Sequence, residues 1–83
     1  MIRSDRDYYN MITDSWKLFK KFFSQVKEDA AVMDDDNWWQ ALIEDGTTLS
    51  KKYNECQFIK ALVINIFNEF DALWKQYQTD KAA

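Results

Sequence analysis

Eighty-three residues carry one cysteine, no histidine, no proline and a single glycine, with a net charge of −3. That inventory excludes an intrachain disulfide, histidine acid–base catalysis and a cysteine–histidine nucleophile pair, and it leaves zinc without its commonest ligand. Fourteen aromatic residues must supply the burial that a domain near the lower size limit needs, and the near absence of chain breakers makes long helices the default.

The chain reads as one domain over residues 1–83. The first helix is expected over residues 5–27. Ser4 can cap it, and Asp5 and Asp7 suit the positive end of its dipole. Tyr8, Ile12, Ser15, Phe19, Phe23 and Val26 form one stripe. Trp16 flanks that stripe on one side, and Met11, Leu18 and Phe22 on the other. The apolar arc covers roughly half the wheel, wider than the roughly 100° of an ordinary surface helix. Asp14, Lys17, Lys20 and Lys21 fall on the far face. The charged start, with no apolar run behind it, does not read as a secretory signal. With its lone thiol the chain is expected to be cytoplasmic.

Residues 28–34 break the period. Asp34 is the expected N-cap of a second helix over 35–53, with Met33 and Trp38 as a hydrophobic staple. Its face is Trp38, Leu42, Leu49 and Tyr53, flanked by Trp39 and Ile43. Gly46 lies on that face. Either the helix runs through it and passes close to a neighbour, or Asp45-Gly46 ends the helix and a second turn restarts at Thr47 or Thr48.

The third helix is expected over 55–78, with Asn54 and Gln57 as a capping box and Tyr53 and Phe58 as a staple. Phe58, Leu62, Ile66, Leu73 and Tyr77 make one row; Ile59, Val63, Phe70 and Trp74 make the next, with Phe67 at the margin. The whole predicts an all-α, antiparallel three-helix bundle.

No motif carries chemistry. Asp34-Asp35-Asp36 tempts one toward calcium, but a twelve-residue loop counted from Asp34 lacks glycine at its sixth position, where Trp39 stands. Capping accounts for the triplet. Cys56 near a helix start reads as a small spacer. No phosphate loop or dinucleotide pattern is present. No catalytic residue, metal or cofactor is expected, and the chain is not expected to be an enzyme. The acidic balance disfavours nucleic acid. The lysines of the first helix read as a solvated face, and its aromatic face is needed inside the bundle and not at a membrane.

Protein binding remains. Charge is segregated: residues 1–27 carry a net +3, residues 46–83 a net +1, and residues 28–45 seven acidic groups and no basic one. These are Glu28, Asp29, Asp34, Asp35, Asp36, Glu44 and Asp45. They would steer a basic partner, and Trp39 at their edge is either an interface anchor or a cover for the bundle's rim. Of the apolar margins at Met11, Leu18, Phe22, Phe67, Trp74 and the outlying Ile64, some are expected to approach solvent, where they would meet a partner or a second copy of the chain, or else they simply fill the bundle's edges.

Trp16-Lys17-Leu18-Phe19-Lys20-Lys21-Phe22 and Phe58-Ile59-Lys60-Ala61-Leu62, with Ser50-Lys51-Lys52-Tyr53-Asn54 before the latter, resemble small helical proteins carried by phages and other mobile elements of low-GC Gram-positive bacteria. In size and acidity the chain is similar to anti-CRISPR and other anti-defence inhibitors. The resemblance implies an inhibitor that occupies a basic surface of a larger host protein, and it implies no catalytic residues. A self-associating structural or regulatory protein is the alternative.

Overall fold

A computed structural model describes residues 2–82; Met1 and Ala83, the ends of the expected domain, lie outside the described residues. Three helices make up the bundle: α1 (Asp5–Glu28), α2 (Asp36–Lys52) and α3 (Gln57–Ala82), with a short 3-10 segment (Ala30–Asp34) between α1 and α2. No strand occurs among the described residues. The outline is a rod of 51 × 20 × 19 Å. Gln25 meets Trp38 and Asp14 meets Lys52, so α1 and α2 are antiparallel. Tyr8 meets Phe58 and Phe19 meets Phe70, so α1 and α3 run parallel, with α2 laid against both.

Ser4 caps α1 as expected, and Asp7 completes a capping box: the Ser4 hydroxyl accepts from the Asp7 N–H, and the Asp7 carboxylate accepts from the Ser4 N–H. Two orphan donors at the helix start are thereby satisfied. The irregular stretch after α1 is a 3-10 segment capped by Asp29, which accepts from the Ala31 N–H at 3.0 Å.

The cap of α2 is Asp35 and not Asp34. The Asp35 carboxylate accepts from the Asn37 N–H at 2.9 Å. The expected Met33–Trp38 staple therefore loses its register: the residue before the cap is Asp34, although Met33 and Trp38 are both buried in the core. The helix runs unbroken through Gly46, which is buried between Val63 and Phe67 of α3.

The Asn54–Gln57 capping box does not form. Asn54 and Glu55 both have positive φ (58° and 53°). The Asn54 N–H donates to the Lys51 carbonyl at 3.0 Å, and the Glu55 N–H to the Ser50 carbonyl at 2.8 Å. This pair of bonds closes a helix C-terminus with a left-handed residue after it, a position for which asparagine is the best choice after glycine. Asn54 therefore ends α2 instead of starting α3. The first turn of α3 is anchored by the Cys56 carbonyl, which accepts from the Lys60 N–H at 3.0 Å.

The core has two parts. One gathers Leu18, Phe22, Met33, Trp38, Leu42, Ile66 and Phe70; the other gathers Met11, Ile59 and Val63. Leu49 and Phe67 pack against both. The centre of the α1 face thus lies on Met11, Ser15, Leu18 and Phe22. Met11, Leu18 and Phe22, expected at the arc's margin, are its buried apolar residues, while Tyr8 and Ile12, expected inside, are exposed. The apolar arc is as wide as expected, but α2 and α3 share the part of it that the stripe count had placed at the edge.

Candidate partner-binding surface

The acidic block is mostly occupied by the fold itself. Asp29 and Asp35 serve as caps. Asp45 pairs with Lys21 across α1 and α2 at 2.7 Å. Asp34 ties the 3-10 segment to the end of α3: its carboxylate accepts from Gln78 at 2.7 Å and from the Trp74 indole at 3.3 Å, and lies 3.5 Å from the Lys81 ammonium. Desolvation pushes the Asp34 carboxyl up, but the Trp74 bond, the Lys81 charge and the Gln78 bond outweigh it and leave its pKa below the ordinary value. Glu28, Asp36 and Glu44 are exposed and hold no ion pair among the described residues.

Trp39 is half-buried. Its indole N–H donates to the Met33 carbonyl at 2.7 Å, and its ring meets that of Trp38 edge to face at 5.0 Å. With its one donor satisfied and its ring packed against the core, Trp39 covers the bundle's rim and holds the 3-10 segment down.

Asp14 is not on the solvated far face. It sits at the α1/α2 seam, where its carboxylate accepts from the Tyr53 hydroxyl at 2.5 Å and from Lys52 at 2.8 Å. The Lys52 bond and then the Tyr53 bond hold the Asp14 carboxyl below the usual carboxylate range; the same carboxylate raises the pKa of both partners. Lys17, Lys21, Asp45 and Lys52 complete this polar seam. Its charges are largely neutralised by one another, which suits a structural clasp better than a reaction centre.

The opposite seam, between α1 and α3, has a different character. Tyr8, Ile12 and Trp16 stand one helical turn apart on α1, within an arc of roughly 80°, and are 37%, 52% and 58% exposed. Tyr8 packs edge to face on Phe58 of α3, with ring centroids 4.9 Å apart. Trp16 stacks at 6.1 Å on Phe19, and Phe19 in turn on Phe23 and Phe70 at 5.2 and 5.1 Å. Beside this aromatic wall runs an open groove of about 280 Å³, lined by Ile12, Ser15, Trp16, Phe19, Leu62, Asn65, Ile66 and Glu69. Its lining is nearly all apolar. Ser15 is buried beneath it, and the Ser15 hydroxyl has no hydrogen-bond partner. The second helix, α2, lies on the other side, so none of the described elements covers this seam.

Comparison with family models, curated proteins and solved structures finds no match to this chain. Among the described residues no helix is long and apolar enough to cross a membrane, and no three histidine, cysteine or acidic side chains converge as metal ligands. Cys56 is half-buried, its thiol 3.7 Å from the Met11 sulfur.

Sequence reasoning missed the α1/α3 face because it placed Tyr8 and Ile12 inside. A signal was available. Tyrosine and tryptophan carry a polar tip that favours half-wet positions. Trp16 lies at one edge of the α1 arc, whereas the tipless Met11, Leu18 and Phe22 lie toward the other.

Proposed function

We propose that this chain is a non-catalytic protein-binding module that docks through the apolar α1/α3 face. One observation carries the reading: Tyr8, Ile12 and Trp16 form an exposed stripe beside an apolar groove that no element of the bundle covers. Exposed apolar surface of this continuity marks an interaction site, and a half-wet tryptophan on a rigid helix is a typical anchor. The clasped carboxylates of the α1/α2 seam offer no open, convergent pair for acid–base chemistry. In the cytoplasm of a host cell, such a module acts by occupying a surface, as the resemblance to mobile-element inhibitors implies.

The test is the pair Ile12→Asp and Trp16→Asp. Both sites are more than half exposed, so the fold survives. Binding to any protein, a second copy included, should be lost in both variants. Binding unchanged in both overturns the reading.

Docking of the acidic side on a basic protein is a second reading, favoured by Asp36 and Glu44, which stay exposed on α2 with no ion-pair partner among the described residues. Reversal of these two to lysine, with affinity measured as salt rises, tests it. Salt-insensitive binding that tolerates both reversals excludes it.

A further inference from the structure

We propose that the α1/α3 face is where two copies of this chain meet, in parallel, about a two-fold axis that runs along the helices. This rests on the docking face proposed above and names its occupant.

The argument starts from the two lips of the groove. On α1, Lys20 follows Trp16 by one turn and is exposed. On α3, Glu69 lines the groove directly. Neither holds an ion-pair partner among the described residues, whereas Lys21, Lys52, Lys75 and Lys81 each do. One lip is thus basic and the other acidic, with an apolar floor between them.

The height of these groups along the bundle then decides the symmetry. Because α1 and α3 are parallel and Phe19 stacks on Phe70, their chain neighbours Lys20 and Glu69 lie at nearly one height. A two-fold axis along the helices carries α1 of one copy over α3 of the other and leaves heights unchanged. Lys20 of each copy then faces Glu69 of the other, twice over. The apolar stripe meets the partner's groove in the same operation. A two-fold axis across the helices does the opposite. It lays α1 on α1 antiparallel, and with the axis at the level of Lys20 it brings the two Lys20 side chains together, which costs association free energy. Self-complementarity of one patch about a two-fold axis is what an isologous dimer requires, and the axial two-fold supplies it here with both Lys20–Glu69 pairs matched.

Size sets the affinity. From Tyr8 to Phe23 the stripe is about 22 Å long at 1.5 Å per residue. Across the rod's 20 Å width it projects on the order of 450 Å² per copy, or about 900 Å² for both, at the lower end of specific interfaces. The dimer is therefore weak and reversible, with a Kd on the order of micromolar to tens of micromolar.

Sedimentation of the full chain from about 2 to 200 μM reads the association. Lys20→Glu and Glu69→Lys alone should each weaken it about tenfold, because each places like charges together at two symmetric sites. The double swap should restore it. Orientation is read by disulfide trapping in a Cys56→Ser background. A mixture of the Lys20→Cys and Glu69→Cys chains should give the mixed cross-link, and Lys20→Cys alone should not pair with itself. A chain that stays monomeric at 200 μM overturns the proposal and leaves the docking face to be judged by other partners. A dimer in which Lys20→Cys pairs with itself, or in which neither single reversal weakens association, overturns it as well.

Discussion

Gly46 of α2 and Phe67 of α3 approach so closely that a Cβ on residue 46 would stand 2.5 Å from the Phe67 Cζ, and 3.0 Å from Cγ1 of Val63. The chain's one glycine therefore marks a close approach of the two antiparallel helices. Its cost in helix propensity, about 1 kcal/mol relative to alanine, is offset by the packing it permits.

Gly46→Ala sets these two effects against each other. The added methyl recovers that propensity but forces the Phe67 ring and Val63 aside, and overpacking of this kind costs about 1–3 kcal/mol. A net loss of roughly 1 kcal/mol is expected in urea unfolding. The double variant Gly46→Ala with Phe67→Leu should be less destabilised than the two single losses added together, because the shortened side chain vacates the space. Strict additivity would show that the contact does not decide the residue.

Acid sensitivity should centre on the α1/α2 clasp. The Asp14 pKa is lowered by Lys52 and Tyr53, so the folded state binds its proton more weakly than the unfolded chain does. Its contribution is then complete above the ordinary carboxylate value, about pH 4, and disappears as pH falls through the lower folded value. Tyr53 and Lys52 are shifted upward. Their contribution holds below their ordinary values and is lost as pH rises through the raised ones, at about pH 10 and above. Asp14→Asn should flatten both limbs of a plot of Tm against pH. Tyr53→Phe should cost about 1–2 kcal/mol at neutral pH, as a hydrogen bond to a charged acceptor does, and should flatten the alkaline limb.

Ser15→Ala should stabilise the bundle. The Ser15 hydroxyl is buried without a partner, an arrangement that costs about 1–3 kcal/mol when a group is fully desolvated. Alanine also has the higher helix propensity. An increase of up to about 1 kcal/mol is expected from urea or thermal unfolding. Destabilisation would mean that the hydroxyl has a partner in solution, such as a bound water.

These residues also show how far the sequence could be read. The helices were legible because nothing opposes them: no proline interrupts the chain, Ser4 caps α1, and Leu49 stays in phase beyond Gly46. The choice of core centre was not. An apolar arc spanning half of α1 has two equivalent edges, and only the placement of α2 assigns Met11, Leu18 and Phe22 to the middle and Trp16 to the rim. The caps failed for a related reason. Three consecutive aspartates offer three N-caps of similar quality, and the choice of Asp35 follows from Asp34 being drawn to Trp74 and Gln78, partners about forty residues away. Asn54 suits a left-handed helix end as well as a helix start, and no local signal separates the two uses. Of the residues named for binding, Asp29, Asp34, Asp35 and Asp45 stood out by charge segregation and Trp39 by its place beside them, and all five have structural partners. Asp14 was missed as a clasp because its partners, Lys52 and Tyr53, lie about forty residues away at the end of α2, and no local signal turns Asp14 toward them.

The aspartate triplet then separates structural from surface charge in one experiment. Asp35 caps α2 through the Asn37 N–H, and replacing such a cap with alanine costs about 1 kcal/mol. Asp34 joins the 3-10 segment to Trp74, Gln78 and Lys81, so Asp34→Ala should loosen the end of α3 and raise amide exchange from Trp74 onward. Asp36 lies in the first turn of α2 with no such partner, and Asp36→Ala should change stability by only a few tenths of a kcal/mol through the helix dipole. The expected order of loss is therefore Asp35 well above Asp36, with the Asp34 effect local to α3. Binding assays that reverse the whole triplet would mix these effects, since two of the three substitutions disturb the fold. Reversal of Asp36 and Glu44 alone leaves caps and interhelical bonds intact, so any affinity lost there reports charge at the surface. If Asp36→Ala instead proves as costly as Asp35→Ala, the cap has been assigned to the wrong residue.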